Sequence, residues 1–234
     1  MRKRKYTESN EVLDYKVFSE DIEQYLNHNT DTETPTAEVH NLVGTCKIKS
    51  TVLPLDLEHV SRLLPNSHFD KQKFAAITIR LHDPVCTVLL FTSGKLVLTG
   101  SKTFIECIYA CVRVLEILRA GTPGVSFELI ESNIQNIVGN VDLQLAPGSR
   151  MDLDKFHRDH SVFCTYQKNM FPGLIYRPVN SPVVLLLFAS GKIVLTGAKS
   201  ANSMRRGWHD IWPVVQRYIA IQQAVTVSGS GDLL

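Results

Sequence analysis

Residues 91–102 read FTSGKLVLTGSK, and residues 188–199 read FASGKIVLTGAK. Nine of the twelve positions are identical, and the two copies are 97 residues apart. In each copy an apolar run meets a Ser-Gly pair and a second β-rich run follows, which predicts a hairpin with a tight turn. Gly94 and Gly191 supply the backbone freedom that such a turn needs. Gly100 and Gly197 are expected to close the second strand.

The repetition extends upstream of both hairpins. Residues 74–80 (FAAITIR) match residues 171–177 (FPGLIYR) at the same spacing, and residues 41–44 (NLVG) match residues 136–139 (NIVG) at a spacing of 95. The second copy therefore holds two additional residues between these elements, which we assign to a loop. A duplication of this kind predicts two similar halves related by a pseudo-two-fold axis.

Hydrophobic periodicity predicts the same order of elements in each half: a strand, a short helix, four strands and a long helix. Pro213 should kink or split the last helix. In the first half the predicted elements are a strand over 40–49, a helix over 55–64, a weakly visible strand before Phe74, a strand over 74–81, the two strands of the hairpin, and a helix over 102–119. In the second half they are strands over 133–143, 163–166, 174–177, 183–189 and 192–197, and helices over 152–159 and 200–220. Antiparallel strands with helices on one face form an α+β fold.

The composition describes a globular chain with free thiols. No apolar run approaches the roughly 18 residues of a membrane span, and no secretory signal is visible. The five cysteines are odd in number and lack CxxC spacing, which fits a reducing compartment. Cys107 and Cys111 are expected to be buried small residues. His157, His160 and Cys164 resemble part of a zinc site, but a fourth ligand is not evident.

Charge is distributed unevenly along the chain. Residues 1–39 hold five Lys or Arg and nine Asp or Glu, a net charge of −4, whereas residues 40–231 carry +7. A basic body suits a polyanionic ligand, although ordinary solubility explains the same numbers. The basic cluster over residues 2–5 fits a nuclear-import signal or a solvated chain end.

Taken together, the paired Asn-x-Val, Phe-x₅-Arg and Phe-x-S-G-K-x-V-x-T-G-x-K elements resemble the TATA-binding protein family over roughly residues 40–220. The resemblance implies a saddle-shaped α+β fold with a pseudo-two-fold repeat. One curved ten-stranded antiparallel sheet carries helices on its convex face and leaves its concave face open. We expect an acidic N-terminal segment over 1–39, repeats over 40–124 and 125–222, and a loose end over 223–234.

Strand alternation places Val97 and Thr99 on one face of the sheet and Leu96 and Leu98 on the other. Both faces are apolar, so the face without helices is expected to be an exposed binding band. A sheet buried on both faces is the alternative.

The resemblance assigns a role in DNA binding to residues in both halves. Aromatic wedges that enter between base steps and kink the duplex are Phe74, Phe91, Phe171 and Phe188. Residues that line the minor groove are Asn41, Val43, Leu89, Val97, Thr99, Asn136, Val138, Leu186, Val194 and Thr196. Neighbours of the phosphates are Arg80, Lys95, Lys102, Arg177, Lys192 and Lys199.

The function implied by the resemblance is that of a general transcription initiation factor in the nucleus. It would bind and bend A·T-rich promoter DNA through the minor groove and nucleate the preinitiation complex. Expected partners are factors similar to transcription factors IIA and IIB and polymerase-associated factors, and the free protein could form a homodimer. No cofactor, membrane or enzymatic activity is expected. The alternatives are an interaction scaffold with weakened or no sequence-specific DNA binding, and an enzyme, since half-saddles occur in DNA glycosylases.

Several stretches depart from the family pattern. The loops before the hairpins read HDPV (82–85) and NSP (180–182), without the usual basic residue. The second wedge loop reads QKNMFPG (167–173), so the family's carboxylates are replaced by Gln167 and Asn169. Residues 103–112, at the start of the first long helix, contain no basic residue. We therefore expect altered contacts with transcription factors IIA and IIB.

Overall fold

One ten-stranded antiparallel sheet spans both halves of the chain in the computed structural model, which describes residues 34–221. The first-half strands are β1 (Glu38–Ser50), β2 (Ser67–His68), β3 (Ala76–His82), β4 (Val85–Phe91) and β5 (Lys95–Ser101). The second-half strands are β6 (Phe127–Asp142), β7 (Ser149–Met151), β8 (Cys164–Thr165), β9 (Leu174–Tyr176), β10 (Val184–Leu187), β11 (Lys192–Ala198) and β12 (Ile219–Ile221). The sheet order is β2-β3-β4-β5-β1-β6-β11-β10-β9-β8, and β12 pairs separately with β7.

The two halves join at the centre of the sheet, where β1 pairs with β6. Asn41 lies opposite Val138, and Val43 lies opposite Asn136, so the pairing is reciprocal about a local two-fold axis. The strand predicted to start at residue 133 begins at Phe127, because its pairing with β1 continues to the end of that strand.

Four helices cover one face of this saddle-shaped α+β sheet: α1 (Leu57–Leu63), α2 (Phe104–Gly121), α3 (Leu153–Asp159) and α4 (Ala201–Val215). Thr103 and Glu106 form a capping box at the start of α2, and Ser200 with Ser203 forms the equivalent box on α4. The helix predicted over 200–220 ends earlier, at Val215. Pro213 lies inside α4, which ends two residues later, before a 3₁₀ turn, so few backbone bonds follow the proline.

The hydrophobic core lies between the sheet and the helices. Leu96 and Leu98 of the first hairpin and Leu195 of the second are fully buried against it. The predicted burial of Cys107 and Cys111 is confirmed, and burial raises the pKa of the Cys107 thiol to about 12. These thiols pack as small apolar groups.

Two of the predicted segments fall mostly or wholly outside residues 34–221. Most of the acidic N-terminal segment, including the basic cluster over 2–5, and the loose end over 223–234 lie outside the described residues. Within residues 34–221, no helix is both long and apolar enough to cross a bilayer.

Candidate nucleic-acid interface

The face of the sheet opposite the helices is open. In the first half its members Val43, Leu89, Val97 and Thr99 are half-buried, whereas their strand neighbours Leu42, Leu90, Leu96 and Leu98 are at most 2% exposed. The second half repeats the pattern with half-buried Val138, Leu186, Val194 and Thr196. The alternative of a sheet buried on both faces is therefore wrong, and an apolar band faces solvent.

An aromatic pair lies towards each end of this band. The ring centroids of Phe74 and Phe91 are 6.1 Å apart with an interplanar angle of 69°, and those of Phe171 and Phe188 are 5.8 Å apart at 71°. Phe74 is 48% exposed and Phe171 is 38% exposed. Two edge-to-face aromatic pairs thus present substantial apolar surface to solvent.

Phe74 does not begin a strand, contrary to the strand predicted over 74–81, and Phe171 likewise lies in a loop. Phe74 precedes β3 by two residues and Phe171 precedes β9 by three. Both lie at the ends of loops, and their N–H groups donate to the carbonyls of Asp70 and Gln167. A Cβ at Gly173 would approach within 2.6 Å of Phe171 Cε1, so this glycine leaves room for the second pair.

Asn41 and Asn136 hold equivalent positions at the centre of the open face. The N–H of Gly100 donates to Asn41 Oδ1 at 2.8 Å, and the N–H of Gly197 donates to Asn136 Oδ1 at 2.8 Å. Because a backbone N–H can only donate, these bonds fix which amide atom is the oxygen. Each asparagine therefore directs its acceptor into the sheet.

The glycines make this contact possible by bulging out of the ladder. Gly100 and Gly197 have φ values of 101° and 102°, and the β1–β5 register passes from Val43↔Thr99 to Leu42↔Ser101. The expectation that these glycines close the strands is wrong, since each strand continues by one residue. An unpaired N–H at a bulge needs another acceptor, and the asparagine side chain supplies it.

Threonine hydroxyls complete both asparagine sites. Thr99 Oγ1 lies 3.3 Å from Asn41 Oδ1, and Thr196 Oγ1 lies 3.2 Å from Asn136 Oδ1 and 3.0 Å from its Nδ2. The sequence contained a signal for this arrangement, because Asn-x-Val-Gly and Val-x-Thr-Gly occur together in both halves. Only the structure shows that the two elements bond to each other.

The six basic residues assigned to phosphates are all exposed: Arg80, Lys95, Lys102, Arg177, Lys192 and Lys199. Arg80 alternates with buried Ile79, and Lys95 and Lys192 precede buried residues of the hairpins, so these three side chains lie on the open face. Within residues 34–221, no carboxylate forms an ion pair with any of the six. Their charges are available to an anionic ligand.

Further residues of the open face were not assigned from the sequence. Thr78 lies opposite Leu89, Ile175 opposite Leu186, and Val184 opposite Thr196, each half-buried. Alternation with buried Ile77 and Ile79 places Thr78 on the same face as Arg80. Alternation alone did not show how far the band extends towards the outer strands.

The second wedge loop, over residues 167–173, is tied to α3 by an ion pair. Lys168 Nζ lies 2.6 Å from Asp154 Oδ2 and 5.6 Å from the centre of the Tyr166 ring. The hydrogen bond from Lys168 lowers the pKa of the Asp154 carboxyl, and the same bond raises the pKa of Lys168. Met170 in this loop is 83% exposed, so the loop presents an apolar tip rather than carboxylates.

The structure also locates the start of α2, where a basic partner surface is absent, and the three residues that resemble part of a zinc site. Ile105 and Tyr109, one turn apart on α2, are 47% and 58% exposed, so the first turns of this helix present an apolar outer face. His157, His160 and Cys164 do not converge, and among the described residues no group of three or more His, Cys, Asp or Glu could hold a metal. His160 Nε2 instead lies 3.1 Å from the Tyr218 hydroxyl.

Known proteins are similar to this chain in sequence and in architecture. The family model described as transcription factor TFIID, or TATA-binding protein, matches residues 36–120 and 131–218. The TATA-box-binding protein of Tetrahymena thermophila is 37% identical over 182 residues, covering 77% of this chain and 70% of the relative. That of Schizosaccharomyces pombe is 33% identical over 210 residues, covering 90% and 86%.

A solved structure is also similar to this chain. Methanococcus jannaschii TBP aligns with a TM-score of 0.65 and 32% identity, over 78% of this chain and 99% of that one. Both repeats are matched by the family model, and the ten-stranded sheet matches the solved fold. The chain therefore belongs to the TATA-binding protein family, a family of transcription factors.

Proposed function

We propose that this protein is a general transcription initiation factor that binds A·T-rich promoter DNA through the minor groove and bends it. The observation that carries the proposal is the pair of asparagines whose oxygens are bonded to Gly100 and Gly197. With the acceptors occupied, the amide groups offer N–H donors to a ligand on the open face. The minor groove at A·T pairs presents acceptors and no donor, whereas G·C pairs add a donor.

The apolar band supports the same interaction. Val43, Val97 and their second-half equivalents form a smooth surface suited to the sugar-lined walls of the groove. The two phenylalanine pairs lie at separated positions on this surface, where each can enter a base step. Insertion of apolar wedges kinks DNA towards the major groove, and the TATA-binding protein family is itself the standard example of this mechanism.

The six exposed basic residues would neutralise phosphates on either side of the groove. Contacts to phosphates fix the position of a protein on the duplex, while the central residues select the bases. No ion pair within the described residues has to be broken for these contacts to form.

In the cell we place this function in the nucleus, at the nucleation of the preinitiation complex. We assign residues 40–124 and 125–222 to the two repeats. Polymerase-associated factors and relatives of transcription factors IIA and IIB are the expected partners. Their contacts should be altered, because α2 presents Ile105 and Tyr109, and the second wedge loop presents Met170. Dimerisation through the open face would compete with DNA.

A mobility-shift assay tests the proposal on matched A·T-rich and G·C-rich duplexes. We expect tight binding to the first only, loss of the complex with a minor-groove ligand, and retention when T·A is replaced by inosine·C, which preserves minor-groove groups. Equal or absent binding to both duplexes would favour the scaffold alternative. Release of a free base would favour a glycosylase.

A further inference from the structure

The two outer edges of the sheet share one backbone arrangement. β2 pairs with β3 through Ser67↔Ile79 and His68↔Thr78, and β8 pairs with β9 through the residues 97 positions later, Cys164↔Tyr176 and Thr165↔Ile175. The N–H of Arg80 donates to the Asn66 carbonyl at 3.1 Å, and the N–H of Arg177 donates to that of Phe163 at 2.8 Å. The edges can therefore be compared residue by residue.

The side chains at these equivalent positions differ in chemistry. Around Arg80 the first edge carries Asn66, His68, Thr78 and His82, and around Arg177 the second edge carries Phe163, Thr165, Ile175 and Val179. Phe163 and Val179 are 40% and 63% exposed. One edge is thus rich in hydrogen-bond donors, and the other is mostly apolar.

The polar edge encloses a notch of about 450 Å³, lined by Asn66, Ser67, His68, Thr78, Arg80 and His82. We call this the edge notch. It is continuous with the open face of the sheet, because Thr78 lies opposite Leu89 and Arg80 lies opposite Thr87. It also lies on the outermost strand pair, beyond the central asparagines.

The donors in the edge notch match a phosphate group. The Arg80 guanidinium, two imidazoles, the Thr78 hydroxyl and one amide can all donate hydrogen bonds, whereas the Ser67 hydroxyl already donates to the Ser61 carbonyl at 3.0 Å. Within residues 34–221, no carboxylate lines the notch and none pairs with Arg80. Guanidinium groups bind phosphate oxygens through paired N–H donors, and neighbouring neutral donors fix the position of the anion.

We propose that the edge notch binds a backbone phosphate of the DNA, outside the bases that the central face contacts, and that Arg177 at the second edge contacts its phosphate without such neighbouring donors. This inference rests on the proposed function, since it requires DNA on the open face. It assigns His68, His82 and Asn66 to DNA binding, and it gives the two ends of the saddle different affinities for the sugar-phosphate backbone.

Phosphate-ethylation interference on an A·T-rich duplex tests this assignment. The variant is His68→Ala with His82→Ala, and the matched control is Thr165→Ala with Val179→Ala at the other edge. All four side chains are exposed, so melting temperatures should match that of the unchanged protein. We expect the variant to bind about tenfold more weakly and to lose interference at one outer phosphate, while the control keeps both properties. An unchanged affinity and ethylation pattern in the variant would overturn the proposal.

A second arm separates backbone phosphate from free phosphate. The ring signals of His68 and His82 are followed by NMR while inorganic phosphate is added to the full chain without DNA. We expect weak, non-saturating shifts with inorganic phosphate and saturating shifts with the duplex. Saturation by inorganic phosphate alone, with an unchanged ethylation pattern, would identify a free-anion site and overturn the inference. If instead the proposed function were wrong, the unchanged protein would show no preference for the A·T-rich duplex. That result is distinct from loss of the notch contact.

Discussion

The centre of the sheet is nearly the same in the two halves, whereas its edges, loops and helices differ. The asparagine–glycine bonds are 2.8 Å in both halves, and both glycines have φ near 100°. The two phenylalanine pairs have similar separations and similar interplanar angles. The halves are alike where each is proposed to face the same groove, and that likeness defines the symmetric part of the interface.

The exposed helix positions and the outer edges of the sheet differ between the two halves. On α2 the exposed positions hold Ile105 and Tyr109, and the equivalent positions on α4, 97 residues later, hold Asn202 and Arg206. The outer edges differ in the same way, with a polar notch on one side and exposed Phe163 on the other. The central face of the sheet, which is nearly two-fold symmetric, can therefore bind a nearly symmetric DNA groove. Because the helices and edges of the two halves differ, a protein partner that recognises one half would have only one binding site.

The largest expected effect concerns the two aromatic pairs, which should contribute equally if the centre is functionally symmetric. Replacing either pair by alanine (Phe74→Ala with Phe91→Ala, or Phe171→Ala with Phe188→Ala) should weaken DNA binding about a hundredfold. The reason is that unstacking a base step costs a few kcal/mol, which each inserted pair is proposed to offset, and without the pair the wider contact with bent DNA is lost. The bend angle, measured by energy transfer between labelled duplex ends, should fall in both variants.

Thermal unfolding is the control for this experiment. A buried phenylalanine replaced by alanine costs about 3–5 kcal/mol of stability, whereas half-exposed rings should cost less. A sharp fall in melting temperature with an unchanged bend would identify the rings as core residues and contradict the wedge assignment.

The asparagines provide the next largest test of symmetry. Asn41→Asp and Asn136→Asp each keep the oxygen that accepts from glycine but replace the N–H donors by a second, charged oxygen. Each should weaken binding to A·T-rich DNA about tenfold or more, because acceptors would face acceptors and a charge would approach phosphates. Affinity is measured by fluorescence anisotropy, and circular dichroism checks the fold. If both aspartate variants bound the A·T-rich duplex as tightly as the unchanged protein does, the asparagines would contribute only by accepting the N–H groups of the bulge glycines.

The sequence predicted the symmetric centre well and the details around it less well. Strand alternation placed Leu96 and Leu98 on the face opposite Val97, and the family resemblance assigned Val97 to the open face, as the burial of these residues confirms. The role of Gly100 was misread, because a glycine near a strand end fits both termination and a bulge. Which one occurs depends on whether an acceptor such as Asn41 Oδ1 lies opposite, and that pairing is not local in sequence.

The edges were harder to predict for a related reason. β2 has only two residues, too few for a period-two pattern to be recognised, whereas β8 lies within the strand predicted over 163–166. The start of β3 was placed too early, at Phe74, since an aromatic residue followed by small residues resembles the first residue of a strand. The edge notch could not be predicted from composition, because His68 and His82 are brought together only by the pairing of β2 with β3.

The two bulge glycines should differ in their tolerance of a side chain. Alanine at either position adopts a φ that costs about 1–3 kcal/mol, but a Cβ at Gly197 would also lie 3.0 Å from the Pro182 carbonyl oxygen, whereas the nearest atom to a Cβ at Gly100 is 3.8 Å away. Gly197→Ala should therefore lower the melting temperature more than Gly100→Ala. Calorimetry measures both, with about 2–4 °C expected per kcal/mol. The reverse order would mean that the second hairpin relaxes more easily than the first.

The wedge loops should differ in partner binding. The second loop carries Gln167 and Asn169 where the family carries carboxylates, so an ordinary transcription factor IIB should bind weakly. Gln167→Glu with Asn169→Glu should improve its affinity severalfold, since charge-assisted hydrogen bonds are stronger than neutral ones. The equivalent first-loop residues are Asp70 and Gln72, and Gln72→Glu is the matched control, for which no gain is expected. Tight binding by the unchanged protein would place the contact on another surface.

The smallest expected effect concerns the lysine that ties each wedge loop to the preceding helix. Lys168 lies 2.6 Å from Asp154, whereas its first-half equivalent Lys71 lies 4.0 Å from Glu58. All four groups are largely exposed, and such pairs contribute little to stability. Lys168→Ala should therefore lower the melting temperature by no more than about 2 °C at neutral pH, and Lys71→Ala by less.

The pH dependence of that difference identifies its cause. Lys168 lowers the pKa of Asp154 below the ordinary value of 3.8, so the stabilisation is complete above that value and is lost as pH falls through the lower folded-state pKa. The pKa of Lys168 is raised above 10.5, so the same stabilisation is lost again as pH rises through the folded-state value. The difference in melting temperature between Lys168→Ala and the unchanged protein should disappear at both extremes. If it persisted in acid, the contact of Lys168 with the Tyr166 ring, which needs no carboxylate, would be its source.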